Sequence, residues 1–108
     1  MRFELLYFDG CPSWQTAYDY LKRALAGLGL QDGVELVHVQ TGEQAAAVKF
    51  VGSPTIRLNG EDLFPANHAD YALGCRIYRT PEGMRGYPTV GMLRDAIHSH
   101  IPGRQERK

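Results

Sequence analysis

Cys11 stands in Asp9-Gly10-Cys11-Pro12, where an apolar segment gives way to a helical one. A thiol at a helix N-terminus meets unpaired backbone N–H groups and the positive end of the macrodipole, and both favour the thiolate. The thiolate is the nucleophile of disulfide exchange, so Cys11 is the first candidate for chemistry. The competing reading is a packed, inert cysteine at a strand end. A second pattern is Gly52-Ser53-Pro54-Thr55, a proline between the end of a helix and the start of a strand. That setting suits a cis peptide, which would turn the N–H and C=O of Ser53 outward to an extended ligand. An ordinary trans proline opening a strand fits the same residues. Cys75, the other cysteine, is either a partner for Cys11 or a buried apolar filler. Asp9 and Asp70 are candidate proton carriers near the thiols, or turn residues. His68 shares a segment with Cys75 and is either a thiol activator or a surface residue. His38, His98 and His100 do not have zinc-ligand spacing. Arg76, Arg79, Arg85 and Arg94 cluster in sequence, as a solvated face or as a site for a small acidic ligand.

The elements that must position these residues are legible in outline. Residues 2–8 (RFELLYF) read as a buried strand ended by Asp9-Gly10. Pro12 fits the first helical position, with Cys11 as N-cap. Ala17, Leu21, Ala24, Leu25 and Leu28 then repeat at helical spacing, and Gly29 closes the helix. Asp19 and Arg23 can pair across one turn on its outer face. Residues 34–40 read as a strand and 42–50 as a short helix that Gly52-Ser53-Pro54 breaks. Residues 55–58 are a strand, Asn59-Gly60 a tight turn and 61–64 its partner strand, since Asn-Gly is a strong hairpin signal. Residues 65–75 read as a loop and 76–80 as an extended segment. Pro81-Glu82-Gly83 then turns, and Pro88 opens a last helix running to about residue 100, with Leu93, Ala96, Ile97 and Ile101 facing inward. Tyr71, Tyr78 and Tyr87 read as core or rim aromatics.

The helix between the first two strands makes them parallel, and the Asn-Gly hairpin makes the last two antiparallel. The expectation is an α/β fold, β-α-β-α-β-β-α, with a mixed four-stranded sheet and helices on both faces. The strand opening at Thr55 leads away from the end of the sheet that carries Cys11, and the next strand returns to it. Residues 65–75 are therefore expected at the same end as Cys11. A disulfide needs the two Cα atoms within about 7 Å, which this order permits without fixing.

At 108 residues with 44% hydrophobic content the chain suits one domain, expected over residues 1–102, with a basic tail at 103–108 expected to be disordered. Twelve basic residues balance twelve acidic ones, which gives no electrostatic case for nucleic acid or an anionic membrane. The balance is uneven: residues 1–75 carry five Lys/Arg against nine Asp/Glu, and residues 76–108 seven against three. No apolar run approaches the roughly 18 residues of a membrane span. Glu4 and Asp9 interrupt what would be the apolar part of an export signal, so a cytoplasmic location is expected. Two cysteines in a reducing compartment read as catalytic thiols, a redox switch or fillers rather than a structural framework.

The order strand, Gly10-Cys11-Pro12, long helix, strand, helix, Gly52-Ser53-Pro54-Thr55 and Asn-Gly hairpin resembles the thioredoxin/glutaredoxin superfamily over the whole chain. The resemblance implies that Cys11 attacks disulfides and that Pro54 is cis and faces it. Gly74-Cys75-Arg76-Ile77-Tyr78-Arg79 followed by Gly86-Tyr87-Pro88 is similar to small bacterial thioredoxin-like proteins, some of them labelled alkylmercury lyase-like. One departure matters: dithiol members carry Cys-x-x-Cys, and here Trp14 stands where the second cysteine would be. Cys75 or an external thiol such as glutathione would then resolve the mixed disulfide. Pro12, Trp14, Ser53, Pro54 and Arg76 are expected to face the substrate, a thiol or disulfide that is a small molecule or a protein. Arg76, Arg79 and Arg85 would suit the carboxylates of glutathione. No bound cofactor is expected. Two other functions fit the residues. One is a non-catalytic thioredoxin-like binding module, with Trp14 and Tyr87 marking its partner surface. The other is soft-metal or organomercurial handling by Cys11 and Cys75, with Asp9 or Asp70 as proton donor.

Overall fold

A computed structural model describes residues 1–65 and 73–100. The chain forms a mixed α/β fold with a four-stranded mixed sheet, a separate two-stranded ribbon and three helices. Strand β1 (Phe3–Tyr7) alternates in the way its residues require. Phe3 and Leu5 enter one hydrophobic cluster, and Leu6 enters another on the opposite face. Helix α1 (Ser13–Gly27) buries Ala17, Leu21, Ala24 and Leu25 in the first cluster. Its C-terminus folds back through two backbone bonds, Gly29 N–H to the Ala26 carbonyl and Leu30 N–H to the Leu25 carbonyl. Gly29 at φ 73° supplies the left-handed residue this ending needs.

Strand β2 (Val34–His38) pairs parallel with β1, in register Phe3 to Val34 and Tyr7 to His38, and forms one edge of the sheet. Helix α2 (Gly42–Ala47) puts Ala45 into the second cluster with Leu6, Val39 and Phe50. It ends three residues before the expected boundary. Lys49 adopts φ 57°, and Phe50 N–H returns to the Ala45 carbonyl, so the burial of Phe50 closes the helix before the glycine does. Strand β3 (Thr55–Leu58) pairs antiparallel with β1, and β4 (Glu61–Asp62) with β3, giving the order β2-β1-β3-β4. β4 is shorter than the expected 61–64.

Strands β5 (Tyr78–Thr80) and β6 (Gly83–Arg85) form the ribbon, joined by Pro81-Glu82. The sequence had suggested only its first half. Helix α3 (Val90–His100) packs on α1 and adds Leu93 and Ile97 to the first cluster. α1 and α3 therefore cover one face of the sheet and α2 the other. No described helix is long and apolar enough to cross a membrane. The expected residues Ala66 to Ala72 of the loop, His68, Asp70 and Tyr71 among them, lie outside the described residues, as do Ile101 and the 103–108 tail.

Candidate functional site

The register of β1 and β3 explains how the site comes together. Leu6 pairs with Thr55, so the start of β3 lies beside the end of β1. Cys11 follows β1, and Gly52-Ser53-Pro54 precedes β3. One end of the sheet therefore carries both. The Ser53–Pro54 peptide is cis. Helix α1 starts one residue later than expected, with Pro12 as its N-cap, so Cys11 sits just outside the first turn. The Cys11 residue is 3% exposed, and its sulfur lies 3.6 Å from the Ser53 carbonyl oxygen.

The chain returns to this end after β4, and Cys11 and Cys75 are joined as a disulfide, with Cα atoms 5.7 Å apart and a sequence separation of 64. Cys75 is exposed where Cys11 is buried. The neighbours of Cys75 also dock on Ser53. The Ser53 N–H donates to the Gly74 carbonyl at 2.8 Å, and the Arg76 N–H donates to the Ser53 carbonyl at 2.9 Å. Ser53 and Cys75 thus form a single parallel bridge. The backbone groups of Ser53, expected to face an outside ligand, are filled by the chain itself. The Ser53 hydroxyl is fully buried and has no hydrogen-bond partner among the described residues.

Beneath this bridge lies a polar network. The Arg76 guanidinium donates to the Asp62 carboxylate at 2.9 Å, to the Thr55 hydroxyl at 3.4 Å and to the Phe64 carbonyl. It also stands over the Tyr78 ring, 4.7 Å from the centroid. A planar guanidinium suits this combination of several directed hydrogen bonds with stacking on a ring. Arg76 was expected to meet a substrate anion; its side chain is instead committed inward, where Asp62 balances its charge. The Tyr78 hydroxyl donates to the Pro54 carbonyl. Asp62 and Tyr78 are the participants that sequence reasoning missed as site residues. A buried aromatic next to an arginine cluster was the one available signal.

Two predictions arise here. Burial pushes the Tyr78 phenol well above its ordinary value of 10.0, with Arg76 opposing and Asp62 adding to the effect. A raised pKa means the folded state holds the proton while the unfolded chain loses it. This contribution to stability is intact below about pH 10 and declines as the pH rises above it. Tyr78→Phe is expected to cost about 1–2 kcal/mol at neutral pH, by leaving the Pro54 carbonyl without its donor. It should also flatten the alkaline decline, which urea unfolding at several pH values measures. The second concerns Gly52, at φ 128°, whose added Cβ would sit 3.0 Å from Cβ of Arg76. Gly52→Ala should cost about 2 kcal/mol, from backbone strain and the collision together, by the same unfolding measurement.

The other expected residues lie around this centre. Trp14 stacks on Tyr7 at 4.0 Å between centroids, and Tyr7 stacks on His38 at 4.9 Å. His38 contacts Asp9 at 3.1 Å. Tyr87 meets Tyr20 edge-on at 5.5 Å and packs against the α1–α3 core. Asp19 and Arg23 pair at 3.0 Å as expected. No cluster of three or more metal-ligating side chains occurs among the described residues. A cavity of about 440 Å³ opens beside Cys75, lined also by Phe64, Ile77, Tyr78, Arg79 and Met92. The pair thus joins a buried residue, Cys11, to an exposed one, Cys75. Comparison with known proteins finds no matching family model, no matching curated protein and no matching solved structure.

Proposed function

We propose that this protein is a thiol-dependent redox protein of thioredoxin-like topology, with Cys11 and Cys75 as its exchanging pair. The observation that carries the reading is the pairing of these two cysteines across 64 residues at the N-terminal end of α1. The strand order β2-β1-β3-β4, the β1-α1-β2 crossover and the cis Ser53–Pro54 peptide beside the pair support the topology. Trp14 removes the local second thiol, and Cys75 supplies one from another part of the chain.

In the reduced protein Cys11 is the nucleophile, because the start of α1 favours its thiolate. It attacks a substrate disulfide, forms a mixed disulfide and releases one substrate thiol. The Cys75 thiolate then attacks the Cys11 sulfur, closes the Cys11–Cys75 bond and releases the second thiol. Two electrons pass from the protein dithiol to the substrate disulfide. An external thiol, with glutathione as the natural class, restores the dithiol.

The test is turnover of a small disulfide, such as glutathione disulfide, with dithiothreitol as reductant. The wild type is expected to turn over, Cys11→Ser to lose the activity, and Cys75→Ser to accumulate a mixed disulfide on Cys11. A Cys11→Ser variant as active as the wild type would overturn the reading. A wild type that exchanges with no disulfide would leave a binding module.

A further inference from the structure

We propose that the two ends of the Cys11–Cys75 bond serve different partners, and that a small anionic thiol reduces the bond by attacking Cys75 from the adjoining cavity. This rests on the redox reading above and goes beyond it by assigning the entry sulfur and the thiol's seat. In-line attack on a disulfide needs an open path to one sulfur, and leaving is easier for the sulfur with the lower thiol pKa. While the bond is closed Cys11 has no open path: it is 3% exposed, with Cys75 paired to it across the disulfide. Cys75 is exposed and is itself part of the cavity lining. Access therefore selects Cys75 as the attacked sulfur and Cys11 as the leaving one.

The cavity defines the class of thiol. Its volume, about 440 Å³, is within the range of small-ligand sites. Phe64, Ile77 and Met92 give it an apolar wall, and among the described residues no carboxylate and two cations line it. Arg76 is neutralised by Asp62, whereas Arg79 is exposed and has no ion pair among the described residues. Arg79 is therefore the group that would meet an acidic substituent on the thiol.

A thiolate RS⁻ attacks the Cys75 sulfur, the Cys75–Cys11 bond breaks, and its electron pair leaves on Cys11 as thiolate. The product is Cys75–S–S–R. A second RS⁻ attacks the outer sulfur, giving RSSR and the Cys75 thiolate, which takes a proton from water. Two external thiols are oxidised to one disulfide, and the protein disulfide is reduced to a dithiol.

The experiment uses the oxidised full chain and two size-matched probes, 2-mercaptoethanesulfonate and neutral 2-mercaptoethanol. The reaction is acid-quenched at short times, free thiols are alkylated, and peptides are mapped by mass spectrometry. The adduct is expected on Cys75, with Cys11 alkylated. Per thiolate, the sulfonate should react about threefold faster, as expected for one exposed charge pair, and Arg79→Glu should abolish or invert that preference. Adducts on Cys11, or an unchanged preference in Arg79→Glu, would overturn the inference alone. A bond that neither probe nor dithiothreitol opens would overturn the redox reading, and the inference with it.

Discussion

Reducing the Cys11–Cys75 bond is expected to lower the stability of the protein by about 4 kcal/mol. Cys75→Ser should be no more stable than the reduced wild type. The estimate follows from the length of chain the bond closes. A cross-link over 64 residues removes loop freedom from the unfolded ensemble, and the chain-entropy model gives about 4 kcal/mol for that span. A domain of this size has only about 5–15 kcal/mol in total, so the shift is a large fraction of it. Urea unfolding of the oxidised wild type, the reduced wild type and Cys75→Ser under reductant measures it. The bond also closes over Cys11 in the native state, whereas the backbone bridge to Ser53 does not require it. The reduced protein is therefore expected to keep its fold while losing stability. Oxidised and reduced protein of equal stability would contradict a native pairing of these two cysteines.

Asp62→Ala is expected to cost about 3 kcal/mol. The Arg76 side chain is 6% exposed and that of Asp62 20%, so the pair is largely withdrawn from water. Removing one partner leaves the other as an uncompensated buried charge, which typically costs about 3–5 kcal/mol. The lower end applies because Asp62 keeps some contact with solvent and Arg76 keeps the Thr55 hydroxyl and the Phe64 carbonyl. The double variant Asp62→Leu with Arg76→Met removes both charges and should recover most of the loss. Single and double variants that unfold at the same denaturant concentration would show that the pair is not a buried charge problem. The prediction bears on function because Arg76 follows Cys75 directly. Its guanidinium ties the return segment to β4, and its N–H ties the same segment to Ser53.

The parts of the molecule with strong local signals were legible in the sequence. β1, α1, β3 and the Asn59-Gly60 turn rest on apolar periodicity, a glycine stop and hairpin chemistry; β3 spans the expected residues, and the ends of β1 and the start of α1 moved by one residue. The return of the chain to Cys11 followed from strand order alone. What was hidden depended on contacts between distant segments. Arg76 lies three residues before Arg79 in sequence, and charge counting cannot reveal that Asp62, fourteen residues away, neutralises it. The filling of Ser53 by Gly74 and Arg76 uses only backbone groups, which every residue carries, so no residue type marks it. The left-handed turn at Lys49 has no glycine to announce it; the burial of Phe50 selects it. Tyr78 read as a core aromatic, which its burial bears out, but its hydroxyl bond to Pro54 needed the fold.

The most direct measurement of the central claim is equilibration of the protein across a series of reduced and oxidised glutathione buffers, followed by peptide mapping. The account predicts a reversible two-electron transition within the monomer, in which Cys11 and Cys75 peptides become cross-linked and both thiols are protected together. Two thiols that remain free in oxidising buffer, or cross-links found only between chains, would contradict it.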